Sequence, residues 1–229
     1  MKTKFGSIVV DGRNKLGGHV YSKNRSGSYV RTKVTPVNPQ SSAQQLVRGR
    51  FGAASQAWRG LSEANRQSWI DAAPDFPVFD IFGDSKQLSG SQLYNKLNLN
   101  LAQAGQSAIA AAPAPTSIDS LISMALAGAA GTPALTITAG IAAVPTGMTA
   151  IVFATPQYGP GRYFVKNRFR YLTTIAAAGS LSGASILTPY NALFGTLVAA
   201  TKISVSVFLV VNATGQAGVP FSAVATVAA

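Results

Sequence analysis

Residue types able to do chemistry are scarce in this chain. His19 is the only histidine and there is no cysteine. The 229 residues hold seven carboxylates: Asp11, Glu63, Asp71, Asp75, Asp80, Asp84 and Asp119. A His-based catalytic triad or a zinc site would have to be built around His19 alone, within a Gly-rich hairpin. Paired carboxylates for hydrolysis have few candidates. Asp75, Asp80 and Asp84, in the aromatic-rich stretch DFPVFDIFGD, lack the alternating spacing and closing glutamate of a calcium loop, so this stretch reads as packing. The glycines of Gln157 to Arg162 do not make a phosphate cradle, because Pro160 removes an amide donor and no Gly-Lys-Ser/Thr follows. The expectation is a non-enzyme without cofactor or metal.

Positive charge is the chemistry present in quantity, and it is unevenly placed. Residues 1–60 carry eleven Lys and Arg against Asp11 alone, a balance of +10. Residues 61–120 stand at −3, and residues 121–229 at +5 with no acid at all. Charged residues are only 11% of the chain and apolar ones 47%, so a weakly charged body with a real core follows a basic arm. Such an arm suits docking onto something acidic: nucleic acid, a membrane surface or an acidic protein lattice. The first residues, MKTKFGSIVVDGR, lack the apolar centre of a secretory signal. The most apolar stretch, Leu121 to Ala154, is broken by Gly131, Pro133, Gly140, Pro145 and Gly147, too often for a bilayer span of ~20 residues. A soluble protein is expected.

The elements that would position these charges follow from local pattern. Phe5 to Val10 is a strand candidate, and Gly17-Gly18 marks a turn. His19 to Lys23 and Ser28 to Val34 read as a two-stranded ribbon around Asn24-Arg25-Ser26-Gly27. Alternation puts Tyr29, Arg31 and Lys33 on one face, so the ribbon is basic with aromatics Tyr21 and Tyr29 beside the charge. It could track a phosphate backbone, or pair with the sheet edge of a neighbouring subunit. Two strands alone are marginal in water, so it requires a partner. Thr35 to Pro39 is extended. Ser41 or Ser42 caps a helix to about Gly60, with Val47, Phe51, Ala54 and Trp58 in one stripe and Arg48, Arg50 and Arg59 off it. Ser62 caps a second helix that stops before Pro74. Trp58 and Trp69 read as the core of this helical hairpin. Ser89 or Ser91 caps a third helix, with Leu93, Tyr94, Leu97 and Leu101, ended by Gly105.

Ala110 to Ser117 reads as a linker, after which the period changes from 3.6 to 2. Strands are expected at 121–126, 134–141, 148–155, 163–174, 202–211 and 221–227. Ile186 to Phe194 reads either as a short helix or as a loop. This spacing argues a β-sandwich. The stretch ISVSVFLVVNATGQAGVPFS, Ile203 to Ser222, resembles the final hairpin of a fibronectin type III or immunoglobulin-like sandwich. There an alternating strand meets an Asn-x-x-Gly-x-x-Gly turn and Pro or Ser opens the last strand. The tryptophan expected in an early strand of that fold is missing.

The N-terminal half resembles a group of uncharacterised tailed-phage and prophage proteins, mostly of Bacteroidetes hosts. The resemblance rests on Gly17, Gly18, Ser22 to Arg25, Gly27, Tyr29, Arg31, Pro36, Asn38, Pro39, Gln44, Arg48, Phe51, Trp58, Leu61 and Trp69. Members of that group also end in an immunoglobulin-like domain. The resemblance implies a structural protein of a virion or prophage.

The fold expected is α+β: a β-hairpin arm (1–39), a helical hairpin plus third helix (40–109), a linker (110–119) and an immunoglobulin-like sandwich (120–229). The function expected is a minor capsid or decoration protein, made in the host cytoplasm and carried in the virion, that clamps neighbouring subunits with its arm. A tail or head–tail connector component and a nucleic-acid-binding protein are the alternatives. Partners would be other virion proteins and copies of itself, with nucleic acid a second target of the arm. The residues expected to make these contacts are Lys15, Lys23, Arg25, Tyr29, Arg31, Lys33, Arg48 and Arg50.

Overall fold

A computed structural model describes the chain except Met1, Thr3, Ile8, Val10, Arg25, Ser26, Asp80, Ile81, Phe82, Asp84, Asp119, Ser120 and Ile122. The described residues form an α+β structure with four α-helices and several antiparallel sheets. They divide into two compact units, Met1–Gln45 and Leu46–Ala229.

The first unit is a small sheet. Strands β1 (Asn14–Leu16), β2 (His19–Asn24) and β3 (Gly27–Thr32) pair antiparallel in that order. Gly17, at φ 57°, makes the turn between β1 and β2, and Gly27, at φ 105°, opens β3. The expected two-stranded ribbon therefore has a third strand, β1, which partly supplies the pairing it needed. The expected strand at 5–10 does not form: Phe5, Gly6, Ser7 and Val9 are irregular, and Ile8 and Val10 lie outside the described residues. Phe5 instead lies over Tyr21, ring centroids 6.2 Å apart. A Cβ on Gly12 would stand 2.8 Å from the Phe5 ring, so glycine there lets the two aromatics meet.

Helix α1 (Ser42–Gly60) starts at Ser41, whose hydroxyl accepts the amide of Gln44 at 3.4 Å. Helix α2 (Glu63–Ala72) is capped by Ser62, whose side chain accepts from the Asn65 amide. It gives way to a 3-10 turn at Ala73–Asp75, because Pro74 cannot continue the helical ladder. A short hairpin, β4 (Val78–Phe79) with β5 (Ser85–Lys86), leads to α3 (Gly90–Gln103). Ser89 caps α3 with a reciprocal box: its hydroxyl takes the Gln92 amide, and the Gln92 side chain takes the Ser89 amide. The glycine at the start of α3 permits close approach, since a Cβ on Gly90 would meet the Ile70 backbone at 2.9 Å.

These helices share one core. Trp69 is fully buried and stands edge-on to Tyr94 of α3 at 5.2 Å, while Trp58 lies tilted 5.4 Å from the same ring. The two tryptophans thus meet through the third helix and not only across the hairpin. Of the α1 stripe, only Trp58 packs against this core; Val47 and Phe51 are 63% and 53% exposed.

Segment 106–118 has no regular structure, yet it is tied down. Asn98, buried in α3, donates to the Ile109 carbonyl and accepts the Ile109 amide at 2.8 Å. The Trp69 indole donates to the Ala110 carbonyl at 2.8 Å, and Gln216 accepts both the amide and the hydroxyl of Thr116.

Seven strands follow. β6 (Met124–Ala129), β7 (Ala134–Ala143) and β10 (Ser180–Ser185) make one sheet in the order β10-β7-β6. β8 (Met148–Ala154), β9 (Arg170–Ile175), β11 (Lys202–Val211) and β12 (Phe221–Thr226) make the other in the order β12-β11-β8-β9. Leu135 and Ile137 from the first sheet and Ala150, Val152, Ile203, Val205, Val207 and Leu209 from the second belong to one buried core. β9 begins seven residues later than the strand expected at 163–174, the intervening chain carrying a 3-10 turn at Lys166–Arg168. The stretch left between helix and loop becomes α4 (Leu187–Phe194), and β10 was not foreseen.

β8 shows why its sequence, MTAIVFA, does not alternate. Its inner residues Ala150, Val152 and Ala154 face the core, while Ile151 on the outer face is covered together with Val210 by Ala104, just past α3. A strand buried on both sides reads as a continuous apolar run.

Among the described residues no helix is long and apolar enough to cross a membrane. Two ion pairs occur among them, Arg13 with Asp11 and Arg66 with Glu63, both exposed.

Candidate functional site

The register of the small sheet decides how the basic arm presents its charge. Lys15 stands opposite Val20, and Val20 opposite Arg31. Tyr29 stands opposite Ser22, two residues from Arg31. Opposed residues of an antiparallel pair share a face, and alternate residues share it too. Lys15, Tyr29 and Arg31 therefore lie together on one face. Tyr21 stands opposite Val30, and Lys23 opposite Ser28, which puts both on the other face. Tyr29 and Arg31 share the face expected of them, and Tyr21 lies on the opposite one. The cause is the hairpin register, in which Asn24 opposes Gly27 and sets Tyr21 and Tyr29 one step out of phase.

Lys33 lies just past β3, its amide donating to the Gly18 carbonyl at 2.9 Å. Arg25 lies outside the described residues. Arg48 and Arg50 are on α1; two residues apart on a helix means about 200° around it, so they do not share a face. Of the candidates described in the small sheet, Lys15, Tyr29 and Arg31 share one face and Lys23 lies on the other. A shallow polar depression of about 440 Å³ lies beside them, lined by Arg13, Asn14, Tyr21 and Lys23 among others.

His19 is exposed in β2, and among the described residues no group of three His, Cys, Asp or Glu gathers closely enough to hold a metal. Asp80 and Asp84 of the acid-bearing loop lie outside the described residues.

A second concentration of chemistry, on the outer face of the four-stranded sheet, was not anticipated. Register aligns Ser222, Ser206, Phe153 and Tyr171 in one row across all four strands. Phe208 stacks on Phe153, centroids 6.0 Å apart, and Tyr171 stands edge-on to it at 6.1 Å. The connection between β8 and β9 rises beside this row and closes an apolar groove of about 620 Å³ with Tyr163, Phe164 and Phe169. The sequence signal was there: RYFVKNRFRY, Arg162 to Tyr171, interleaves cations with aromatics. Reading it as strand alone hid it, because the groove floor also draws on β11 and β12, which lie well downstream in the chain.

Below this groove a polar knot locks the sheet. The Tyr158 and Ser204 hydroxyls meet at 2.6 Å, Thr155 accepts the Ser204 amide, and the Tyr190 hydroxyl donates to the Thr155 carbonyl at 3.0 Å. Burial pushes the Tyr190 phenol well above its ordinary range, and raises Tyr94 in the same direction.

No protein-family model, curated protein or solved structure matches this chain.

Proposed function

We propose that this chain is a structural protein of a virion, a minor capsid or decoration protein that holds neighbouring subunits through its N-terminal arm. One observation carries the reading: none of the described residues from 1 to 68 is buried. That segment nevertheless exposes Leu16, Val34, Val37, Leu46, Val47 and Phe51 together with nearly all the excess positive charge. Among its described residues this small sheet has no buried core and, beyond the single bridge of Lys2 to Tyr29, offers its edges for docking or strand pairing. Exposed apolar side chains among cations suit an acidic protein surface.

The β-rich part is read as an immunoglobulin-like sandwich of the fibronectin type III arrangement. Counting β6 to β12 as first to seventh, the first, second and fifth strands share one sheet and the other four share the second. That division supports the resemblance drawn from Ile203 to Ser222.

Quantitative mass spectrometry of gradient-purified particles tests the role. Hundreds of copies per particle, with residues 1–45 protected from protease, is the expected result. About six to twelve copies would move the protein to the connector or tail. Absence from particles would overturn the reading.

A further inference from the structure

All the charge of residues 121–229 is positive, and four of the five cations fall in nine residues: Arg162, Lys166, Arg168 and Arg170. The fifth, Lys202, reaches the same connection, its ammonium donating to the Pro160 carbonyl at 3.2 Å. None of the five is in an ion pair among the described residues, and no carboxylate exists in this part of the chain to neutralise them. Interleaved with them, Tyr163 and Phe164 are 90% and 69% exposed. An exposed aromatic pair beside an apolar groove carries a hydration cost that a soluble surface does not keep without use. Arg170, opposite the core-facing Ala154, lies on the other face of the sheet from the groove and ties down the connection, its guanidinium donating to the Asn167 and Phe169 carbonyls.

We propose that this groove binds single-stranded nucleic acid: bases stack on Tyr163, Phe164 and the Phe153–Phe208 floor while the backbone phosphates meet Lys166 of the groove wall and the neighbouring Arg162 and Arg168. Charge complementarity selects a polyanion, and exposed ring faces select one whose units carry flat, apolar surfaces. A duplex fits less well, because its bases are already stacked. An acidic peptide would satisfy the cations but leaves the row of rings without matching partners. The Ser206 and Ser222 hydroxyls, in line with Phe153, add hydrogen-bonding capacity at base edges or phosphates. The site uses none of the arm's residues and does not rest on the virion reading.

The test is fluorescence anisotropy of the full chain with a labelled 20-nucleotide dT strand, repeated across salt concentrations. The expected result is that Tyr163→Ala with Phe164→Ala weakens binding about tenfold and leaves the salt dependence intact. Arg162→Gln, Lys166→Gln and Arg168→Gln together lower the log–log salt slope by about 2, close to 0.7 per cation on a single strand. These side chains are exposed apart from the half-buried Arg168, and circular dichroism checks that each variant keeps its strand content. A variant with Lys23, Arg31 and Lys33 changed to Gln keeps the aromatic dependence. Unchanged dT binding in both groove variants overturns the proposal. So does equal displacement by a 20-residue polyglutamate with no effect of the aromatic pair, which would assign the groove to an acidic protein. Particle copy number reads the arm's role independently of either outcome.

Discussion

Tyr190 puts an ionisable hydroxyl where water does not reach, donating to the Thr155 carbonyl beneath the four-stranded sheet. Burial holds its proton on, so the folded phenol ionises well above the ordinary value of 10.0, near which the unfolded chain ionises. The sign follows. Below about pH 9 both states keep the proton, and the group takes nothing from stability. Above about pH 10 the unfolded chain releases it and the folded protein cannot, so stability falls by about 1.4 kcal/mol per pH unit. Tyr190→Phe is expected to cost about 1 kcal/mol at pH 8 through the lost hydrogen bond, and to make the decline above pH 10 shallower. Urea midpoints at pH 8, 10 and 11 check both. This residue was poorly legible in sequence, since TPYNALF is too short and mixed to decide its own conformation. The cap residues were legible, because a Ser hydroxyl reaching an amide three residues on is a local event. The split between Tyr21 and Tyr29 was not, because it turns on the register set at the hairpin.

Elements with a strong local period were readable, and elements defined by their neighbours were not. Helices α1 to α3 carry their stripes and caps within themselves. β1 is three exposed residues that become a strand only because β2 lies alongside, and β10 pairs with β7 through two irregularities in register. β11 alternates cleanly, its Ile203, Val205, Val207 and Leu209 facing the core while Ser204, Ser206 and Phe208 face outward. The turn after β11 was readable as a turn, but not as a joint. Gly215 there sits at φ 73°, its carbonyl accepts from the Asn100 side chain at 2.9 Å, and a Cβ would run into the Leu97 carbonyl of α3. Gly215→Ala adds both left-handed backbone strain and that clash. It is expected to destabilise the protein by about 2 kcal/mol, measured by urea unfolding, where an exposed Gly at ordinary φ would lose little.

At the level of the whole molecule the contrast is between a unit with a core and a unit without one. Hydrogen exchange on the isolated chain makes this measurable. Amides of β2 and β3 are expected to exchange at least about a hundredfold faster than those of β8 and β11, because opening the small sheet uncovers almost no apolar area. Protection of β2 and β3 equal to that of β11 would remove the basis for a docking arm. The charge asymmetry behind this contrast was plain from composition; what composition hid was the clustering of the second basic region beside rings that the fold gathers from β8, β9 and β11.

The pinned segment from Ile109 to Thr116 has a mechanical consequence. It is fastened to α3 by Asn98, to α2 through Trp69, and to the β11–β12 turn through Gln216. That turn is fastened to α3 in its own right through Asn100. Tension entering along α1 passes at Trp58 into the Tyr94 ring, and from α3 into the β11–β12 turn of the larger sheet. Between Ile109 and Thr116 the load is borne in parallel by several short links. Residues 46–229 would therefore transmit a pull as one stiff coupling, not as two beads on a string.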